Sequence, residues 1–350
     1  MNYKERFDTL VEEGWLISQV HPTLDLTIYN YSQKTQYESH WTEETLMARG
    51  LVLNSSGEIV ARPFGKFFNA SEVPDQIPNS AFEVFEKMDG SLGIFFWYAK
   101  DEVLHPVFAS RGSFTSEQAV KGWEMLQKLP YLELHYGHTH MFEIIYPENR
   151  IVVDYGASEK LVLLGIIKTT DGREISRNDI ECSLDSAFEL VNSYHIKEKW
   201  DRLVTLSEPN KEGFVIRFSN GFRVKVKFEE YVRLHRIITN ISSTDIWEML
   251  AANKPLDEIL EKVPDEFFDW VRETEAKLRS EFETLENEYK WIYKVISRSP
   301  SAETRKGFAE RAMFYKHPSL LFSMVDEKDY APGIWKLIKP EWSKPFSNRV

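Results

Sequence analysis

The chain has 350 residues, 42% of them hydrophobic and 14% aromatic, and carries a net charge of −12. That length and apolar content suffice for two cores, while the acidic total argues against broad adhesion to nucleic acid and leaves room only for a local basic site. A single cysteine, Cys182, excludes an internal disulfide and a cysteine-based zinc site, and the absence of 18 consecutive apolar residues argues against a membrane span.

Taken in chain order, residues 2–14 are predicted as an amphipathic helix with Phe7, Leu10 and Val11 inward. Its charged residues leave no apolar core for a signal peptide. A reducing cytoplasmic location is therefore expected, in the host cytoplasm if the source is viral. LVLNSSGEIVARPF, from Leu51, has the pattern of a hairpin with Ser-Gly in its turn. FEVFEKMDGSLGIFFWY, residues 82–98, reads as two strands around a charged centre. A helix is expected over 114–129, with Thr115 or Ser116 as its cap. Strands are expected at 139–146 and 160–167, and a helix within 184–206 around Phe188 and Val191. His135, His138 and His140 have the look of a metal site but lack a fourth ligand, so they are assigned to the loop entering the strand of Glu143.

GFVIRFSNGFRVKVKF, residues 213–228, is the clearest hairpin. A three-residue loop, Ser219-Asn220-Gly221, pairs Phe218 with Phe222, Ile216 with Val224 and Phe214 with Val226, giving one wholly apolar face. Gly221 then takes the left-handed loop position. The opposite face carries Arg217, Arg223, Lys225 and Lys227, either a solvated face or a cationic wall for an anion. Beyond about residue 240 strand signals stop. Residues 265–295 carry an apolar stripe at three- and four-residue steps, read as a core helix of a helical domain rather than a coiled-coil seam. Shorter helices are expected at 302–314 and 317–325. Residues 291–350 hold 11 Lys and Arg against 6 Asp and Glu, a local surplus of 5.

Lys87 stands at a strand end because Asp89-Gly90-Ser91 forces a turn directly after it. A lysine becomes a nucleophile where cations, a metal or desolvation favour its neutral amine. The ordered set Lys87-x-Asp89-Gly90, Phe142-Glu143, Glu212-Gly213-Phe214-Val215 and Lys225-Val226-Lys227 resembles the covalent nucleotidyltransferases, which include polynucleotide ligases and capping enzymes. Ala48-Arg49-Gly50-Leu51, Arg62 to Asn69, Ser110-Arg111-Gly112-Ser113 and Tyr231-Val232-x-Leu234-His235 narrow the resemblance to the T4 RNA ligase 1 family, over roughly residues 30–240. The chain departs from that family in placing Arg111 where Lys-Gly-Ser is usual.

The resemblance implies a nucleotidyltransferase domain of antiparallel sheets with flanking helices over 1–242. With the helical pattern that follows, read as an all-α C-terminal domain over 243–350, the expected fold is α+β, and the basic second half of that domain makes it the candidate for RNA selection. The resemblance also implies ATP as substrate, Mg²⁺ or Mn²⁺, and RNA with 5′-phosphate and 3′-hydroxyl ends, with tRNA or RNA repair as the setting; the sequence leaves the oligomeric state open, with a monomer the favoured expectation. Lys87 would form a lysyl–AMP adduct, pass AMP to the RNA 5′-phosphate, and a 3′-hydroxyl would then expel AMP. Lys225 and Lys227 would meet the α-phosphate, and Arg49, Lys66 and Arg111 the outer phosphates. The Glu86 backbone would read adenine, while Asp89 and Gly90 shape the turn and approach the ribose. Glu143 and Glu212 would hold hydrated metal or a ribose hydroxyl, with Tyr231 a further candidate near the metal. DNA ligases, capping enzymes and a non-catalytic RNA-end or nucleotide binder are the competing readings. The first two usually continue into a β-rich OB domain, whereas here the continuation is helical.

Overall fold

The computed structural model describes residues 2–184, 188–196, 200–206, 208–239, 241–260 and 268–341. The chain divides into two compact units, Met1–Ile238 and Thr239–Val350.

The first unit is built on three sheets. Helix α1 (Tyr3–Glu12) starts at a capping box in which Asn2 and Glu5 satisfy each other's backbone N–H groups, and it buries Phe7. It packs beside a four-stranded sheet of β1 (Leu16–Val20), β2 (Leu26–Tyr31), β3 (Arg49–Asn54) and β4 (Ile59–Ala61), in that order. Two short helices, α2 (Gln33–Tyr37) and α3 (Glu43–Met47), connect β2 to β3.

The remaining strands are β5 (Phe68–Asn69), β6 (Phe82–Lys87), β7 (Ser91–Lys100), β8 (Val103–Ser110), β9 (His138–Ile145), β10 (Lys160–Lys168), β11 (Glu189–Leu190), β12 (Ser193–Tyr194), β13 (Gly213–Phe218) and β14 (Arg223–Lys227). They form two five-stranded sheets, β11-β10-β9-β7-β8 and β12-β6-β13-β14-β5. The pairings are antiparallel except for β11 on β10 and β5 on β14. Helices α4 (Glu117–Leu126), capped by Ser116, α5 (Arg177–Ser183) and α6 (Glu229–Thr239) flank them.

Strand β7 explains how the layers stack. Its side chains alternate, and both faces are buried. Leu92, Ile94 and Phe96 pack with Leu26, Ile28 and Val52 of the first sheet. Phe95 packs on the other side with Met125 and Leu126 of α4 and Phe142 of β9. Ile94, Phe95 and Phe96 are wholly inaccessible to solvent, each worth roughly 2 kcal/mol in burial. The hairpin β13–β14 has the expected register, with Phe214 opposite Val226, Ile216 opposite Val224 and the Phe218 N–H donating to Phe222 across the loop. Its apolar face joins the core that includes Val84, Phe228 and Tyr231.

Two expectations are corrected. The segment around Phe188 and Val191 is not helical: Glu189–Leu190 pairs with β10 and Ser193–Tyr194 with β6. Both apolar residues are buried, and neighbouring sheet edges supply the backbone partners that a helix would have made locally. Residues 185–187 and 197–199 lie outside the described residues. His138 and His140 belong to β9 rather than to a loop before it. His140 is fully buried, and desolvation drives its pKa down to about 3, so its ring is neutral.

The second unit is helical throughout its described residues: α7 (Ser243–Ala251), α8 (Asp257–Leu260), α9 (Phe268–Ser297), α10 (Arg305–Ala312), α11 (Pro318–Val325) and α12 (Ala331–Leu337). Tyr289, Ile292 and Ile296 of α9 are buried with Phe308, Leu320, Leu321 and Ile334 from the three helices that follow it. The stripe of α9 is thereby used within its own unit.

Candidate active site

Lys87 is the last residue of β6, and Ser91 is the first of β7, yet these strands belong to different sheets. Met88-Asp89-Gly90 is therefore a crossover between sheets, not a hairpin turn. Asp89 fastens it. The buried carboxylate accepts hydrogen bonds from the Val152 and Val153 N–H groups at 2.9 and 2.8 Å and from the Tyr231 hydroxyl at 2.8 Å. The Asp89 N–H donates to the Tyr155 hydroxyl at 2.9 Å. These bonds tie the crossover to the 152–155 segment and to α6. The Gly90 N–H donates to Glu143 Oε1 of β9 at 2.9 Å.

Held this way, Lys87 opens onto a cavity of about 520 Å³, a volume suited to a small organic ligand. The walls bring together Lys87, Glu86, Gly90, Arg49, Arg111 and Glu143 from the expected set. Phe64, Phe85, Leu164, Val191 and Val215 supply apolar surface. Among the described residues, Asp89, Lys66, Glu212, Lys225, Lys227 and Tyr231 are not on this wall. Asp89 and Tyr231 stand behind it, bonded to each other. Lys66 lies in an aromatic box, its Nζ 5.4 Å from the Tyr31 ring centre, 5.1 Å from Trp41 and 5.4 Å from Phe68.

Lys87 Nζ donates to Glu212 Oε2 at 2.6 Å, and Lys227 Nζ lies 3.5 Å from Glu212 Oε1. One buried carboxylate thus serves two lysines, which suits its almost complete removal from water. Glu212 is placed by Gly213, which pairs with Lys87 across β6 and β13. Gly213 has φ +150°, and a Cβ there would lie 2.0 Å from the Val226 carbonyl oxygen, so only glycine fits. Lys225 is buried two residues before Lys227 on β14.

The cationic face foreseen on the hairpin is divided. Arg217 and Arg223 are opposite one another and are joined by Glu174, with Arg217 Nη1 2.6 Å from a Glu174 oxygen. Arg217 also pairs with Glu83. These two guanidiniums are therefore already neutralised. Arg49 lies over the Phe67 ring and Arg111 over Tyr31. Desolvation lowers the Arg49 pKa, as does neighbouring Arg111, while Tyr31 and Glu143 act in the opposite sense. Glu143 is pushed up to about 7, first by desolvation and then by Glu212, against the pull of Lys87, Arg49 and the Gly90 N–H. A phosphate chain entering here would meet fixed cations and relieve the repulsion between the two arginines.

Several wall residues carried no signal in the sequence. Glu174 forms an isolated β-bridge to Ile167 beyond the turn that follows β10, and Asn30 and Leu164 are single residues in ordinary strands. Tyr155, which receives the Asp89 N–H, is likewise set by no motif. Only the fold brings them to the site.

A family model described as RNA ligase matches residues 47–232. An RNA ligase of Rhodothermus phage RM378 is 23% identical, the match covering 86% of this chain and 85% of that protein. A Thermovibrio ammonificans protein, provisionally named an RNA ligase, is 28% identical over 60% of this chain, which spans 59% of that relative's length. A solved archaeal ATP-dependent RNA ligase aligns with a TM-score of 0.49 at 14% identity, covering 94% of this chain and 97% of that one.

Proposed function

The chain belongs to the T4 RNA ligase 1 family of ATP-dependent RNA ligases, and on that premise we propose that Lys87 carries AMP from ATP to the 5′-phosphate of an RNA strand, which is then joined to a 3′-hydroxyl. The observation that carries this reading is a lysine held on the wall of a cavity of about 520 Å³ that it shares with Arg49 and Arg111. In the first step the Lys87 amine attacks the α-phosphorus, a P–N bond forms, and the bond to pyrophosphate breaks. Glu212, already accepting the Lys87 hydrogen bond, is the nearest group to receive the ammonium proton. In the second step a 5′-phosphate oxygen attacks the same phosphorus, and the P–N bond returns its electrons to the amine, which regains a proton. In the third step the 3′-hydroxyl loses its proton, attacks the 5′-phosphorus and expels AMP, leaving a phosphodiester.

Most of this work is electrostatic. Arg49 and Arg111 are assigned to the outer phosphates, and Lys66, which shares the Tyr31 ring with Arg111, to the same region. Lys225 and Lys227 are assigned to the α-phosphate, with Lys227 released from Glu212 as charge arrives. Glu86 and the apolar wall receive the base. Asp89 is given a positioning role because the protein already supplies its partners.

The donor set fits Mg²⁺ or Mn²⁺ shared with substrate phosphates. Among the described residues no group of three or more His, Cys, Asp or Glu side chains could hold an ion alone, and Mg²⁺ ordinarily takes one or two carboxylates plus water and phosphate. Glu143 on the wall is the direct candidate and Glu212 acts through water, while the Tyr231 hydroxyl is engaged by Asp89. When bound, the ion supplies charge neutralisation at the phosphates. The RNA setting is read as repair of cleaved strands, tRNA included.

The test is a chase. The protein incubated with α-labelled ATP and Mg²⁺ should acquire label, 5′-phosphorylated RNA should remove it, and an RNA 3′-hydroxyl should yield a joined strand with release of AMP. Label that is never passed to RNA, or passed equally to DNA ends, would overturn the RNA-joining assignment.

A further inference from the structure

The cavity contains two charged groups of different kinds. Lys87, Arg49 and Arg111 line it together with Glu143, whose charge Lys87 and Arg49 influence, a set with surplus positive charge suited to phosphates. Glu174 and Arg223 also line the cavity, with Phe64, Leu164 and Val215. Here the charges cancel: Glu174 and Glu83 are matched by Arg217 and Arg223. A carboxylate would repel a phosphate, so this neutral, apolar-walled side suits an uncharged base.

Glu174 is built into its position. Its backbone bridges to Ile167, and the adjoining Lys168 N–H donates to Arg173 and the Ile175 N–H to Ile166, both at 2.8 Å. The carboxylate is fixed on one side by Arg217 at 2.6 Å and on the other by Arg223, whose guanidinium lies 4.2 Å from the Phe64 ring centre. Gly165 of β10 makes this approach possible, because a Cβ there would come within 2.8 Å of the Phe64 ring and 3.4 Å of Glu174 Oε1. A carboxylate can accept about four hydrogen bonds and two go to arginines, so it retains acceptor capacity.

An acceptor beside a fixed donor matches one purine and opposes another. Adenine offers an amine next to a ring-nitrogen acceptor, whereas a 6-oxopurine would set its oxygen against the carboxylate. We propose that Glu174 is the specificity-determining residue of the nucleotide site, accepting the 6-amino group of the base while Arg223 donates to an adjacent ring nitrogen. This rests on the reading of the cavity as an ATP site, and it goes beyond that reading by giving base selection to a side chain.

The test compares initial rates of self-labelling by ATP and by ITP, its 6-oxo counterpart, in the wild type and in Glu174→Gln. The wild type should prefer ATP by at least tenfold in kcat/KM, and the variant, whose amide can donate to a 6-oxo group, should lose about tenfold of that preference while still labelling Lys87 at saturating ATP. Should the variant fail to fold, N6,N6-dimethyl-ATP with the wild type replaces it: loss of the amine N–H should cost about tenfold. A wild type that accepts ITP or the dimethyl compound as well as ATP, or a folded variant with an unchanged ATP-to-ITP ratio, overturns the proposal. ATP labelling in those same samples would leave the ligase reading intact, and its absence from the wild type would overturn that reading instead.

Discussion

Asp89 is two residues from the proposed nucleophile, yet its carboxylate is spent on the protein. It accepts bonds from Val152, Val153 and Tyr231 inside a buried site. Removing the acceptor leaves those donors unsatisfied, so Asp89→Ala should cost about 3 kcal/mol in chemical denaturation. Tyr231→Phe removes a single bond to the same carboxylate. It should cost about 2 kcal/mol and leave lysine labelling largely intact, as measured by denaturation and label uptake on one preparation. A Tyr231→Phe variant of full stability that cannot be labelled would give the hydroxyl a direct chemical role. At this scale the motif residues were legible because their order and spacing are set by chemistry along the chain. Glu174 was not, since a lone acidic residue between a strand and a helix looks like any solvated charge until the fold sets it between Arg217 and Arg223.

Period-two alternation is a strong signal when one face is apolar, and the β13–β14 hairpin was readable to its register for that reason. Ile216 is wholly buried there, and Ile216→Ala should lower stability by about 3 kcal/mol in a denaturant titration. The strands on either side of Lys87 were also legible, but not their separation into two sheets, because local pattern carries no information about which partner a strand takes. The segment at 184–206 failed for a related reason: its short strands exist through their pairing with β10 and β6. His140 in β9 has a consequence for pH. Its folded pKa, about 3, lies below the ordinary value of 6.5. The unfolded chain therefore takes up a proton below about pH 6.5 that the folded chain refuses, and stability falls as pH falls through that window. Between pH 6.5 and 5 this should cost roughly 1–2 kcal/mol, and His140→Leu should flatten that part of the stability profile. Parallel profiles for the two proteins would show that His140 does not carry the effect.

Across the whole molecule, the change from mixed α/β pattern to helical pattern was visible in the chain, and the compact units divide at residues 238 and 239. The helices α7, α8 and α12 were not foreseen; α8 and α12, at four and seven residues, span fewer than two turns each, too few for a period to emerge. A net charge of −12 suits a protein that grips strand ends through a few local cations. The helical unit, basic in its last 60 residues, is proposed to choose the RNA. Truncation after about residue 245 should therefore spare lysine labelling and reduce end joining at least tenfold, with joining the more salt-sensitive step in the full chain. Equal loss of both steps in a folded fragment would refute this division of labour.

The central claim is that Lys87, and no other residue, carries AMP. Its most direct test is mass spectrometry of the protein after incubation with ATP and Mg²⁺, followed by peptide mapping. One AMP should be found per chain, on the peptide containing Lys87, and Lys87→Ala should gain none while remaining folded. AMP on another residue, or a Lys87→Ala protein that is labelled and still joins RNA, would contradict the account.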